Sequence, residues 1–319
     1  MKKILIDTNS INGRRSALID GEKLIDFDLE FEGNNFQKGS IHKGKITKIE
    51  ASLEAIFIEL GSSRHGFLPF KELSPEYFDS SKTGSDRFKI KEGDDIVVQI
   101  EKEERVNKGA ALSTYISLAS RYIVLMTNHP TGGGISRRIS GEDRDKVKTL
   151  IENLNIPEGM SVIIRTAGID RQIEELNWDL EYLKKLWVEV ESAIQKSKAT
   201  QLIYADQSLI QKTIRDYFKE DIGELIVDNV NDFDNAKTYA NKIVPEFIEK
   251  IKLYEEEIPL FASYGIESKI ESAFSREVKL PSGGSLVIDS GEALTSIDIN
   301  SARSTKGTDI EETALKTNL

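Results

Sequence analysis

The 319-residue sequence contains no cysteine. Disulfide staples and thiolate metal sites are therefore excluded within these residues. It also has no apolar run near the roughly 18 residues that a membrane-spanning helix requires. The opening stretch Met1-Lys2-Lys3-Ile4-Leu5-Ile6-Asp7 is too short for the apolar segment of a secretory leader and reads as a strand. A cytoplasmic location is the simplest expectation. No internal repeat and no low-complexity tract occurs. Positive charge is not in excess, since 43 Lys and Arg face 54 Asp and Glu for a formal net charge of −11. That balance speaks against a uniformly basic polyanion binder, because phosphate contacts need cations. A basic face can nevertheless sit on an acidic protein, so local pattern has to decide. The glycine run Gly132-Gly133-Gly134 lacks a following lysine and a strand–turn–helix setting, and is not a nucleotide loop.

What is present suits a globular chain of two to four small domains, with 39% hydrophobic and 30% charged residues. Residues 1–35 read as a strand followed by a hairpin across Asp20-Gly21. Residues 36–114 carry short β-rich runs at 45–49, 55–60, 65–68 and 96–100, the pattern of a small barrel. Over 115–210 the runs at 122–126 and 161–165 predict strands, and helices are expected near 142–154 and over 178–197. Residues 211–273 alternate helix and strand like part of an α/β sheet. From about 274 a hairpin is expected, with strands at 285–289 and 293–300. The spacing Thr308-Asp309-Ile310-Glu311 predicts a capping box that opens a helix. One hairpin and one helix start cannot bury their own apolar faces, so this last domain is expected to be unfinished.

Three stretches could carry chemistry. Side chains alternate along a strand, which puts Leu294, Ser296, Asp298 and Asn300 on one face. A carboxylate and an amide projecting together can hold Mg²⁺ or one of its waters, although a polar strand end facing solvent has the same pattern. In the barrel region, Phe57 and Phe67 are interleaved with Lys43, Lys45, Arg64, His65 and Lys108. Rings that stack on bases beside ammonium groups that meet phosphates suit single-stranded nucleic acid, while two core phenylalanines would look alike in sequence. Arg165-Thr166 before Gly168 could offer a guanidinium fork and a hydroxyl to a terminal phosphate. A surface ion pair with Asp170 or Glu174 is the competing reading.

Taken in order, these segments resemble the ribonuclease E/G family. The resemblance is carried by Lys43-Gly44-Lys45-Ile46, Arg64-His65-Gly66-Phe67-Leu68-Pro69, Asn107-Lys108-Gly109-Ala110-Ala111-Leu112 and Gly134-Ile135-Ser136-Arg137-Arg138-Ile139. It continues through Arg165-Thr166-Ala167-Gly168, Leu280-Pro281-Ser282-Gly283-Gly284, Asp298-Ile299-Asn300-Ser301-Ala302-Arg303, Asp309-Ile310-Glu311-Glu312-Thr313 and Thr317-Asn318-Leu319. The wording is closer to the E branch than to the G branch.

The resemblance implies an α+β multidomain protein. An RNase H-like α/β subdomain would be split between residues 1–35 and 211–273. An OB-fold RNA-binding barrel at 36–114 and a 5′-end sensor at 115–210 would be inserted in it, and a DNase I-like catalytic domain would begin at 274–319. It further implies a single-strand-specific, Mg²⁺-dependent endoribonuclease of mRNA decay and rRNA processing. Asp298 would bind the metal and act catalytically with Asn300. Phe57, Phe67, Lys108, Lys43 and Lys45 would contact RNA, and Arg165 and Thr166 would grip a 5′-monophosphate with Val124 nearby. Other RNA-decay proteins are possible partners, and the full-length form could attach peripherally to the inner membrane. The family's second metal-binding aspartate and its Cys-Pro-x-Cys zinc link, which joins protomers into a homo-oligomer, are not in these residues. The expectation is thus a chain that binds RNA and cleaves it poorly, with a non-catalytic RNA-binding module as the alternative.

Overall fold

Three strands open the chain: β1 (Lys2–Asp7), β2 (Arg14–Asp20) and β3 (Lys23–Glu30), paired antiparallel in that order. Ile4, Leu5 and Ile6 of β1 are all buried, as expected of a strand covered on both faces. The tight turn falls at Gly21-Glu22, one residue later than the Asp20-Gly21 reading, because Asp20 pairs with Lys23. Gly21 has φ +58°, the left-handed conformation a two-residue hairpin turn requires. The computed structural model describes residues 1–10, 13–31, 33, 36–79, 88–105, 108–135, 141–205, 207–281, 283–291, 294–301, 311 and 315.

The next strands are β4 (Ile41–Glu50), β5 (Ala55–Glu59), β6 (Gly66–Pro69), β7 (Asp95–Lys102) and β8 (Ala111–Ser113). They pair in the order β4-β5-β6-β8-β7, and β7 pairs back onto β4, so the sheet closes into a five-stranded barrel. Closure removes the free edges that an open sheet of this size would expose. Alternation sends Ile46, Ile56, Ile58, Leu68, Val98 and Leu112 inward as the core. The chain passes close to itself beside β6, where a Cβ on Gly109 would lie 2.0 Å from the His65 carbonyl oxygen.

A smaller sheet follows, built from β9 (Ser117–Ala119), β10 (Ile123–Met126), β11 (Gly134–Ile135) and β12 (Ser161–Ile164) in the order β11-β12-β10-β9. Helix α1 (Glu142–Glu152) lies between β11 and β12, and α2 (Ile173–Lys196) follows β12. Helix α2 lays Leu176, Leu180, Leu183 and Val190 on this sheet's core, a stripe at helical spacing. It begins five residues before the expected 178. The Glu175 carboxylate accepts the Gln172 backbone N–H at 3.0 Å, which satisfies an otherwise orphaned donor and starts the helix there. Strand β13 (Gln201–Tyr204) then returns to pair with β4.

The rest alternates α3 (Leu209–Tyr217), β14 (Ile222–Val227), α4 (Val230–Ile243), β15 (Ile251–Leu253), α5 (Leu260–Ser263) and α6 (Glu267–Ala273). Strand β14 runs parallel to both β1 and β15, giving a five-stranded mixed sheet in the order β15-β14-β1-β2-β3. Asn229 caps α4 by accepting the N–H groups of Asn231 and Asp232. Last come β16 (Glu277–Lys279), β17 (Ser285–Ser290) and β18 (Thr295–Asn300). The expected hairpin is thus joined by a third strand, which the short Glu277-Val278-Lys279 segment did not announce. Leu294 precedes β18 rather than belonging to it.

The chain divides into two compact units, one of Met1–Glu30 with Tyr217–Leu319 and one of Phe31–Asp216. Among the described residues no helix is long and apolar enough to cross a membrane. The capping box at 308–311, the 136–139 segment and Asn107 lie wholly or mainly outside the described residues. So do the motif positions after Ser301.

Candidate functional site

On the barrel, β5 alternates buried Ile56 and Ile58 with half-exposed Phe57, and β6 alternates buried Gly66 and Leu68 with half-exposed Phe67. The two phenylalanines stand directly opposite in register, with ring centroids 5.9 Å apart and planes at 71°. Neither belongs to the barrel core. An edge-to-face pair on an outer barrel surface leaves aromatic area open to a ligand. Lys45 is exposed on β4 opposite Glu59, on the same outer side as Phe57. Lys108 is exposed beside the Gly109 contact with His65.

Lys43 does not join this group. Its ammonium donates to the Ser197 carbonyl at 3.0 Å, tying β4 to the end of α2. Lys48, directly opposite Phe57, is engaged by Glu50 at 2.7 Å. That hydrogen bond, with help from Ser52, holds the Glu50 carboxyl at about 2. Arg64 leans on Glu104 at 3.6 Å and on the Arg105 carbonyl at 3.3 Å. Lys45 and Lys108 are exposed and enter no ion pair among the described residues, and of the two the register places Lys45 on the side of the rings.

The second group sits where β12 ends. Arg165 donates its backbone N–H to the Tyr122 carbonyl at 2.8 Å. Its guanidinium donates from Nη1 to the Ser120 carbonyl at 2.8 Å and from Nη2 to Asp216 at 2.7 Å. The ion-pair partner is therefore Asp216 of α3, and not the neighbouring Asp170 or Glu174. Thr166 is exposed beside it, and Val124 pairs in register with Ile163, two residues before Arg165. Burial raises the Asp216 carboxyl, but Arg215 and Arg165 outweigh it and hold the group below the ordinary carboxylate range.

Behind Arg165 lies a carboxylate that sequence reading passed over. Asp179, 1% exposed on α2, accepts the Ser120 hydroxyl and the backbone N–H groups of Tyr122 and Ile123 at 2.9 and 3.0 Å. Burial pushes its carboxyl up, and those three donors offset the cost only in part. The carboxylate anchors the turn that presents the Ser120 carbonyl to Arg165. A buried Asp in the apolar stripe of α2 was the one available signal, since such a residue demands donors.

In the third group, Asp298 and Asn300 share a face of β18, as alternation predicts. The Asn300 amide donates to Asp298 Oδ2 at 3.2 Å. The whole strand is exposed, with Ile297 at 59% and Ile299 at 46%. Asp298 enters no ion pair among the described residues. Among the described residues no group of three or more His, Cys, Asp or Glu is placed to hold a metal ion. Both side chains offer hard oxygen donors of the kind Mg²⁺ takes, and that ion commonly binds through one or two carboxylates, completing its shell with water and substrate phosphate.

Comparison with known proteins agrees with this layout. A family model described as the ribonuclease E/G family matches residues 117–319, and one described as the S1 RNA binding domain matches residues 35–115. A protein named ribonuclease E from Haemophilus influenzae is 51% identical over 323 residues, which covers 100% of this chain and 34% of that protein. Ribonuclease E of Escherichia coli is 52% identical over 324 residues, covering 100% of this chain and 30% of its own length. A putative ribonuclease E of Buchnera aphidicola subsp. Baizongia pistaciae is 47% identical over 323 residues and is covered to 79%. The chain spans about a third of the length of the first two relatives.

Proposed function

Because the chain belongs to the ribonuclease E/G family, we propose that it serves a single-strand-specific endoribonuclease as its RNA-binding and 5′-end-reading part, with the first elements of the hydrolytic site. The observation that carries the reading is the Phe57–Phe67 pair on the outer face of a closed barrel, with exposed Lys45 on the same outer side and exposed Lys108 just ahead of β8 in the chain. Successive bases stack on such rings while the ammonium groups track the phosphates, and neither contact depends on sequence. A duplex keeps its bases stacked inside and cannot use the rings, which accounts for the single-strand preference.

The finer subdomains follow the family. The mixed sheet of β15-β14-β1-β2-β3 is assigned to an RNase H-like subdomain, interrupted by the barrel and by a 5′-sensor built on β9 to β12 and α2. The β16-β17-β18 sheet begins a DNase I-like domain. Arg165 and Thr166 are assigned to a 5′-monophosphate, which one guanidinium and one hydroxyl can satisfy. A triphosphate brings more charge than they can meet.

At the hydrolytic end, Asp298 would hold Mg²⁺, and Asn300 would orient the attacking water while its amide steadies Asp298. When bound, the ion supplies a polarised phosphoryl oxygen and a more acidic water. Attack on phosphorus breaks the bond to the 3′ oxygen, leaving a 3′-hydroxyl and a 5′-phosphate. One carboxylate among the described residues supports binding more strongly than cleavage, so the 319 residues alone are expected to bind RNA and to cut it slowly.

The test uses a protein extended to the length of the E-type relatives. Asp298→Asn should abolish Mg²⁺-dependent cleavage of a single-stranded RNA while leaving its affinity within twofold. Unchanged processing would instead favour a non-catalytic RNA-binding module.

A further inference from the structure

Asp216 is not among the residues assigned above, yet it is the one carboxylate that hydrogen-bonds the Arg165 guanidinium among the described residues. We infer that Asp216 is a positioning residue of the phosphate site, holding Arg165 so that its remaining N–H donors face a 5′-phosphate. The inference rests on the reading of Arg165 as the phosphate contact.

A guanidinium has five N–H donors in a rigid plane. Two atoms of Arg165 are engaged from within the protein: Nη1 by the Ser120 carbonyl at 2.8 Å and Nη2 by Asp216 Oδ1 at 2.7 Å. Two anchors on different atoms fix both the place and the plane of the group. Nε and the other N–H groups have no partner among the described residues, and the side chain keeps 28% exposure. Donors are thus left over at a surface-facing site.

Asp216 is itself held. Arg215 also grips it, Nε to Oδ1 at 2.9 Å and Nη2 to Oδ2 at 2.9 Å, so Oδ1 is shared with Arg165. A carboxylate fixed by a fork-shaped partner cannot follow Arg165 if that side chain swings, so it acts as a rigid stop. The carboxylate also bridges two guanidinium groups whose charges would otherwise repel.

The opposite role is also physically possible: Asp216 could occupy the fork as an internal competitor that phosphate must displace. The two roles predict opposite signs. The experiment measures the affinity of the purified chain for a 3′-labelled single-stranded RNA decamer bearing either a 5′-monophosphate or a 5′-hydroxyl, by fluorescence anisotropy. Wild type should prefer the monophosphate by about tenfold, or ~1.4 kcal/mol. Asp216→Asn, isosteric but uncharged, and Asp216→Ala should cut the preference below about threefold with 5′-hydroxyl affinity unchanged. Asp216→Glu should restore part of it.

A preference that stays tenfold or rises in Asp216→Asn and Asp216→Ala overturns the inference. So does an equal loss of affinity for both RNAs, which would mark Asp216 as merely structural. Arg165→Ala separates the two levels of the argument. If it erases the preference, the phosphate reading stands whatever Asp216 does. If it leaves the preference intact, or if wild type shows none, that reading fails and takes the inference with it.

Discussion

Replacing Phe57 with alanine tests the barrel face most directly, because its effects on binding and on stability separate cleanly. The ring lies outside the core and pairs edge-to-face with Phe67 at 5.9 Å. Base stacking on an aromatic side chain is worth roughly 1–3 kcal/mol. One edge of the pair is already in contact, so the lower half of that range is the reasonable expectation. At ~1.4 kcal/mol per decade this means a rise in Kd of about 5- to 30-fold for single-stranded RNA. The stability cost should stay near ~1 kcal/mol, the scale of an aromatic pair, and well below the ~3–5 kcal/mol of a buried Phe→Ala change. Phe67→Ala should behave alike, and the double variant should lose less than the sum because the rings touch. The assay is anisotropy on a short single-stranded RNA at low salt, beside urea unfolding of the same variants. A Kd within twofold of wild type together with a stability loss of several kcal/mol would show that the rings serve packing, and the RNA-face argument would fall.

Gly109→Ala should destabilise the barrel by ~1–3 kcal/mol, because the new methyl would sit 2.0 Å from a backbone oxygen that cannot rotate away. Urea unfolding would read the loss, and a wild-type midpoint would contradict the close approach. Burial, reinforced by the Glu76 charge, pushes the Tyr77 phenol up to about 12. A raised value favours the protonated folded state, so this contribution is whole below pH ~10 and is lost as pH climbs towards 12. Tyr77→Phe should therefore raise the alkaline unfolding midpoint, and an unchanged or lower midpoint would count against a buried phenol.

Much of the barrel was legible because strand alternation is a local rule. The order Ile56-Phe57-Ile58 already separates core from surface once the segment is known to be a strand, and Gly66-Phe67-Leu68 does the same. The shared face of Asp298 and Asn300 follows from the same period of two. Helix α2 showed less, since its true start depends on a hydrogen bond between Gln172 and Glu175 that periodicity does not register. Strand β16 is three residues long and pairs with β17 alone among the described strands, so its own residues carry little signal.

By itself, the sequence determined which residue types face outward on each strand and the order of the family's motifs, because alternation and propensity act over a few residues. Tertiary packing decided which charges meet. It gave Arg165 a partner 51 positions away rather than its neighbours, and it fastened Lys43 to a carbonyl 154 positions away. It also put Asp179 beneath a turn 56 to 59 positions distant. Charge-assisted bonds form only within about 3 Å, and that proximity is created when separate elements pack together.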